Sequence, residues 1–225
     1  LREAVHRAVA APLTETRRSA DDVLRHLLDL EAVWLEARVL EMVAADRARP
    51  PFAVVALEQP CTARIGALAL EMRPDRVDRL ADGSLAVIDY KTGANAEVRA
   101  WLDERPRLPQ LPAYVQALGA ERVGAVAFAR VRSGDTGYAG IARAAESFPG
   151  LKVPGAKGGP RGFATWEALL AEWQRRLEAL AAEYAAGDAR LAPNPSQACS
   201  YCHLGALCRI GETDASDADE EPGDD

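Results

Sequence analysis

A short polar turn separates two strand-like runs in the middle of the chain, and this arrangement constrains the fold more than any other feature. Residues 69–80 have the pattern of a strand with charged insertions, and residues 85–93 form a second, more apolar run. Residues 81–84 between them contain an Asp-Gly pair, which typically joins the strands of a β-hairpin. The sequence therefore predicts a hairpin that carries Asp75 alongside Asp89.

Alternation along the second strand determines which side chains can act together. Asp89 and Lys91 are two residues apart and should project from one face, whereas Ile88 and Tyr90 should point to the other. Two carboxylates on adjacent strands suit Mg²⁺ or Mn²⁺, which bind through one or two carboxylates together with substrate phosphate. Such a site would support metal-assisted hydrolysis of a phosphodiester, with Lys91 orienting the water or stabilising the transition state. The alternative is an exposed hairpin whose Asp and Lys are ordinary surface residues.

The spacing of these residues is that of a known family. Pro74-Asp75 is followed, after thirteen residues, by Asp89-Tyr90-Lys91-Thr92-Gly93, and this pattern resembles the PD-(D/E)xK nuclease superfamily, specifically its RecB and AddB branch. The resemblance implies that Asp75, Asp89 and Lys91 are catalytic and that Asp75 and Asp89 bind the metal. It also implies DNA as the substrate.

A second motif lies on the helix expected after the hairpin. Gln110 and Tyr114 match the Gln-x-x-x-Tyr motif of these nucleases, and residues four apart share one helix face. The resemblance implies that both are catalytic-site residues that position the lysine and the DNA backbone. The alternative is that Tyr114 is an ordinary core residue of an amphipathic helix.

Three further residues are candidates for the metal site or its surroundings. Glu58, at the end of the first predicted strand, is a candidate auxiliary metal ligand. Asp78 competes with Asp75 for the metal, but Asp75 follows Pro74 and matches the family position better. We therefore expect Asp78 either to contact the metal ligands without binding the metal or to pair with arginine. His6 is a candidate for the histidine that RecB-like nucleases carry before the core, although it lacks the glycine of that motif.

Three of the four cysteines cluster near the end of the sequence. Cys199, Cys202 and Cys208 have the spacing Cys-x2-Cys-x5-Cys, which favours metal ligation over disulfides in a chain we expect to be cytoplasmic. Zinc is one interpretation, with His203 as a further ligand. The AddB-like resemblance instead implies a [4Fe-4S] cluster whose fourth cysteine lies upstream. We expect Cys61 to be a partly buried bystander.

The net charge is compatible with DNA binding when the last 14 residues are counted separately from the rest of the chain. The 225 residues carry a net charge of −7 and are 48% hydrophobic, enough for one substantial core. Eight acidic residues lie within residues 212–225, so the remainder has a net charge of +1. We expect that segment to be a disordered acidic tail, and the body to offer phosphate-binding arginines at positions 73, 76, 79, 105 and 107.

The order of predicted elements resembles the αβββαβ core of the superfamily. It predicts an α/β, restriction-endonuclease-like fold with a mixed central sheet, flanking helices and a C-terminal cysteine-rich clasp. Four parts are expected: an N-terminal helical segment of a longer chain (1–49), the nuclease core (50–190), the iron–sulfur cysteine segment (191–211) and the acidic tail (212–225). Within the first part, a helix is predicted from a Ser19 cap to about Ala48.

The expected function is a metal-dependent DNA nuclease, in particular an exonuclease of DNA repair or recombination. Resemblance to AddB implies a helicase partner or a helicase-like portion of the same chain. Two alternatives stay open: an inactive DNA-binding or scaffold module with a structural iron–sulfur or zinc site, and a zinc-binding interaction domain. No apolar run approaches the roughly twenty residues of a membrane span, so no membrane association is expected.

Overall fold

A computed structural model of the chain describes residues 1–93, 96–188, 190, 199 and 202–208. Its helices are α1 (Arg2–Ser19), α2 (Asp22–Arg47), α3 (Gln110–Leu118), α4 (Trp166–Ala185) and the short α5 (Gly205–Cys208). Its strands are β1 (Ala53–Leu57), β2 (Cys61–Ile65), β3 (Leu68–Met72), β4 (Arg76–Arg79), β5 (Leu85–Lys91), β6 (Val123–Arg130) and β7 (Gly137–Ala142). The predicted acidic tail lies outside the described residues, as does most of the cysteine segment.

The central sheet has five strands in the order β1-β4-β5-β6-β7. Strands β5 and β6 are parallel, with α3 in the connection between them, and the other neighbours are antiparallel. A parallel pair needs such a crossover, whereas the β4-β5 pair needs only the tight turn. This mixed sheet with flanking helices confirms the predicted restriction-endonuclease-like α/β architecture.

The predicted strand over residues 69–80 is wrong, because the structure divides it into two. Strand β3 pairs with β2 in a separate two-stranded sheet, and β4 joins the central sheet. Pro74 lies in the break between them, and proline interrupts a strand because it has no backbone N–H for the ladder. The residues that precede Asp75 therefore turn from one sheet into the other.

The predicted helix from Ser19 to about Ala48 is also wrong at its start. Ser19 is the last residue of α1, and the side chain of Asp21 caps α2 by accepting the N–H of Leu24 at 2.8 Å. The apolar residues of the first half of α2 do not enter the core: Val23 is 71% exposed and Leu30 is 56% exposed. These two helices form an antiparallel pair whose apolar side lies open to solvent.

Two apolar cores cover the two faces of the central sheet. On one face, Val87 and Phe128 pack with Trp101 and Trp173, where the α3 and α4 side chains lie. On the other face, Ile88 and Phe148 pack with Met42 at the end of α2. No helix in the described ranges is both long enough and apolar enough to cross a membrane.

Candidate active site

The turn between β4 and β5 sets the register that brings the candidate carboxylates together. Leu80 N–H donates to the Ser84 carbonyl at 2.8 Å, and Gly83 has a φ of 84°, a conformation that favours glycine. The register pairs Arg76 with Ile88, so the next position along places Asp75 opposite Asp89. The predicted Asp-Gly hairpin is present at this point of the sheet.

The Asp75 and Asp89 carboxylates each contact a different residue of β5. The N–H of Tyr90 donates to Oδ2 of Asp75 at 2.8 Å, which ties this half-buried carboxylate to the neighbouring strand. Asp89 is only 2% exposed, and its Oδ2 lies 2.6 Å from Nζ of Lys91. The structure thus brings Asp75, Asp89 and Lys91 together, as their positions in the sequence predict.

The Asp89 carboxylate is in an environment that disfavours its charge. Burial raises the pKa of Asp89; Lys91 lowers this pKa, the Asp75 carboxylate raises it further, and the net result is a raised pKa. Although Lys91 is close, buried Oδ2 of Asp89 has no aligned hydrogen-bond donor among the described residues. A cation at this point would offset two neighbouring carboxylates, so the donor set fits a hard divalent ion.

Asp78 lies on the opposite face of the sheet and cannot share the metal site. Its side chain is fully buried, and it accepts hydrogen bonds from Arg76 at 2.7 Å and from Arg49 at 2.9 Å. Positions 75 and 78 are an odd number of residues apart, so their side chains point to opposite faces. The expected pairing of Asp78 with arginine is confirmed.

An ionic network surrounds Asp78 and connects the end of α2 to the hairpin. Asp46 of α2 accepts from Nη1 of Arg76 at 2.8 Å and from the hydroxyl of Tyr138 at 2.6 Å. Arg49 also lies 2.9 Å from Asp46 and stacks on Phe148, with 3.9 Å from its guanidinium carbon to the ring centroid. Two arginines and two aspartates balance one another, which reduces the electrostatic cost of their burial.

Gln110 and Tyr114 meet beside the segment that leads into Asp75. Nε2 of Gln110 donates to the Tyr114 hydroxyl at 2.7 Å, and that hydroxyl donates to the Arg73 carbonyl at 3.0 Å. Burial raises the pKa of Tyr114, with a smaller contribution in the same direction from Asp89 and Asp75. The pair therefore fixes the backbone before Asp75, whereas the resemblance implied contact with the lysine. Tyr114 is at the same time a core residue.

Glu58 approaches Asp75 through its backbone. Its N–H donates to the Asp75 carbonyl at 3.1 Å, and its φ of 44° makes it the only non-glycine residue with a positive φ in the described part of the chain. Such a conformation costs about 1–3 kcal/mol and often occurs at functional sites. The side chain is exposed, and its role as a metal ligand stays a prediction.

In the part of the chain that the structure describes, His6 and the cysteines are not assembled into a metal site. Nδ1 of His6 lies 2.6 Å from Glu36 of α2, on the exposed surface of the helical pair. Cys199 and Cys202 are exposed and Cys208 is half-buried. Within the described ranges, no group of three or more His, Cys, Asp or Glu residues is arranged to hold a metal. Cys61 is half-buried, as expected, and burial raises its pKa.

Of the five expected phosphate-binding arginines, Arg76 needs correction, whereas Arg73 and Arg79 are exposed and stay candidates. Arg76 is 5% exposed and forms ion pairs with Asp46 and Asp78, so it cannot contact a ligand. Arg105 is paired with Glu183, and Arg107 with Asp103 and Glu97. Sequence reasoning missed Arg130, whose position on β6 is directly beside Lys91. The strand pairing that places it there is not visible in the sequence.

Comparison with known proteins identifies a family for this chain. The sequence model of one family, described as the PD-(D/E)XK nuclease superfamily, matches residues 1–209. Among solved structures, the crystal structure of SSO0001 is similar to this chain with a TM-score of 0.37 and 10% sequence identity, over 89% of this chain and 80% of that one. No curated protein matches the chain.

Proposed function

Because this chain belongs to the PD-(D/E)XK nuclease superfamily, we propose that it is a metal-dependent DNA nuclease whose catalytic residues are Asp75, Asp89 and Lys91. The observation that carries the proposal is the hairpin geometry: a buried Asp89 with an unaligned Oδ2, opposite Asp75 and 2.6 Å from the Lys91 ammonium. Burial of a carboxylate without an aligned hydrogen-bond donor is energetically costly, and carboxylates with such perturbed environments cluster at functional sites.

Each residue of the site would have a separate role in phosphodiester hydrolysis. Asp75 and Asp89 would hold Mg²⁺ or Mn²⁺, with Glu58 as an auxiliary ligand. When bound, that ion supplies Lewis-acid charge and lowers the pKa of a coordinated water. Lys91, fixed by Asp89 and 29% exposed, presents its ammonium where negative charge grows on the phosphate oxygens. Gln110 and Tyr114 hold the backbone that positions Asp75.

Several finer features of the proposal rest on the resemblance to the RecB and AddB branch. They are exonuclease action in DNA repair or recombination, a cytoplasmic location, and coupling to a helicase or a helicase-like portion of the same chain. The support is the residue pattern around Asp75, Asp89 and Gln110.

The branch resemblance also supports a [4Fe-4S] cluster on Cys199, Cys202 and Cys208. Three thiolates at this spacing are a suitable donor set, and a fourth ligand is needed to complete it. Iron and acid-labile sulfide analysis of anaerobically purified protein, compared with Cys202→Ser, checks this assignment. A colourless protein with one zinc per chain would favour the zinc interpretation.

The test of the nuclease is cleavage of end-labelled single- and double-stranded DNA with and without Mg²⁺. We expect Lys91→Ala to reduce the rate on the order of a hundredfold, as loss of a transition-state charge contact does. Lys157→Ala, which removes an exposed lysine outside the site, is the matched control. An exonuclease would leave circular single-stranded DNA intact. If the folded wild-type protein binds DNA but cleaves none of these substrates, the scaffold alternative is favoured.

A further inference from the structure

A cleft of about 490 Å³ has three basic residues in its lining. Arg130 of β6 forms one wall, Lys152 another, and Arg99, on a short 3-10 helix, contributes a third. Glu97 is the single acidic residue among those that line it. The cleft has the size of a ligand site, and its chemistry is mainly cationic.

Strand pairing shows how the cleft is joined to the active site. Lys91 of β5 and Arg130 of β6 are paired across parallel strands, as are Asp89 and Phe128. Paired residues project from the same face, and neighbouring strands are about 4.8 Å apart. Arg130 is therefore the next side chain beyond Lys91 across the sheet. Both lie at the carboxyl ends of parallel strands, where ligands of α/β proteins commonly bind.

Lys152 lies beyond β7, four residues along the sheet from the level of Lys91 and Arg130. It pairs with Ile141 in a parallel bridge, and its N–H donates to the Gly140 carbonyl at 3.0 Å. Ile141 belongs to the core on the Phe128 face, so Lys152 projects from that face too. Lys91 and Arg130 are thus neighbours on this face, and Lys152 lies beyond β7 on the same face, where it lines the cleft together with Arg130.

Two of the basic residues that line the cleft have no ion-pair partner within the described ranges. Arg99 and Lys152 are exposed and have no ion-pair partner among the described residues. Arg130 pairs with Asp135 at 3.1 Å, but its buried Nε has no acceptor within the described ranges. The carboxylate of Glu97 already accepts from Arg107 at 3.1 Å. An anion that enters the cleft would meet the unpaired cations of Arg99 and Lys152 and the open Nε of Arg130.

We propose that Arg99, Arg130 and Lys152 bind the phosphodiester backbone of the DNA strand next to the phosphate that is cleaved. This inference rests on the proposed function, and it adds the direction in which the strand leaves the active site: from Lys91 across β6 towards β7. The contacts form in the ground state, so their loss weakens binding more than it slows the chemical step.

The test compares a double variant, Arg99→Ala/Lys152→Ala, with the control Arg122→Ala/Lys157→Ala. The control removes the same charge from exposed positions outside the cleft, and Arg122 precedes β6 at the opposite end from Arg130. Binding of a fluorescent single-stranded oligonucleotide is measured by anisotropy over a salt series in EDTA, which prevents cleavage. Steady-state kinetics with Mg²⁺ then give KM and kcat separately.

We expect the cleft variant to bind on the order of tenfold more weakly at low salt and to reduce the slope of log affinity against log salt by about two. KM should rise while kcat changes little, and Arg99→Lys/Lys152→Arg should restore binding. The control should behave as wild type. Circular dichroism and thermal melting establish that all variants are folded.

The outcomes separate this inference from the nuclease proposal. If wild type cleaves DNA and the cleft variant matches the control, the cleft proposal is overturned and the nuclease stands. If binding depends on the cleft but no DNA is cleaved, the backbone contacts of the cleft are upheld, while the nuclease and the placement of the strand beside a cleaved phosphate are overturned. Wild-type protein that does not bind the oligonucleotide overturns the cleft proposal, whatever its activity.

Discussion

Arg76 donates from Nη1 to the hydroxyl of Tyr90 at 3.1 Å, and this bond joins the two residues that directly follow Asp75 and Asp89. Both side chains lie on the face of the sheet opposite the carboxylates, because neighbours along a strand alternate. One face of the hairpin therefore presents the candidate chemistry. The other face anchors the hairpin to α2 through Asp46.

Asp78→Ala should destabilise the protein strongly. The change leaves Arg49 and Arg76 buried with too few carboxylates, and removal of one partner from a buried ionic group costs about 3–5 kcal/mol. Urea unfolding measures the loss. Asp29→Ala, which breaks an exposed pair with Arg17, is the control and should cost less than about 1 kcal/mol. Equal losses in the two variants would show that the buried network does not stabilise the fold.

Stability should fall in acid partly because of Asp46. Burial raises the pKa of Asp46, but hydrogen bonds from Arg76 and Tyr138 outweigh this, and the net pKa is lowered. A carboxyl whose pKa is lower in the folded state stabilises that state above its unfolded pKa of about 3.9. This contribution is lost as the pH falls below that value through the folded pKa.

The measurement is the free energy of unfolding of wild type and Asp46→Asn as the pH is lowered from neutrality to about 3. We expect the variant to be less stable at neutral pH and to show a shallower decline in acid. Parallel pH profiles for the two proteins would mean that other carboxyls account for the acid sensitivity.

Tyr114→Phe should affect the active site more than the fold. The change removes the hydrogen bond to the Arg73 carbonyl, two residues before Asp75, and leaves the ring in the core. A neutral hydrogen bond contributes about 1 kcal/mol to stability, whereas displacement of Asp75 should raise the Mg²⁺ concentration that supports half-maximal cleavage. In a double-mutant cycle with Gln110→Ala, the two effects should be strongly non-additive. Full additivity would contradict a shared role.

Asp89→Asn should stabilise the metal-free protein while it abolishes the response to Mg²⁺. The net raised pKa of Asp89 means that its charge is less favourable in the folded than in the unfolded state, so the neutral amide should raise Tm in EDTA. A ligand that binds the folded state raises Tm, and wild type should show this with Mg²⁺. If the variant retained the Mg²⁺-dependent rise in Tm, Asp89 would not be a metal ligand.

The hairpin was predictable because its determinants are local. Asp82-Gly83 specifies the turn, and alternation from there places Asp89 with Lys91 and separates Asp75 from Asp78. The break at Pro74 could have been anticipated from the missing N–H, but the pairing of β3 with β2 depends on distant residues. For the same reason, the position of Arg130 beside Lys91 was not predicted, because it depends on the parallel pairing of β5 with β6. The burial of Arg76 was not predicted either, because it depends on Asp46 of α2.

The prediction of the N-cap of α2 was wrong for a related reason. Ser19 and Asp21 are both good N-cap residues, and a choice between them requires knowledge of where α1 ends. The exposed apolar side of α2 was also unforeseen, since helical periodicity indicates an apolar face without indicating what covers it.

The tight β4-β5 turn also has a consequence for the order of folding. Strand pairings between residues close in the sequence close small loops and form fastest, whereas parallel pairings must wait for their long connection. The pairing of Arg76 with Ile88 is local, while that of Lys91 with Arg130 spans α3. We therefore expect Asp75 and Asp89 to become neighbours in an early hairpin, before Arg130 arrives beside Lys91.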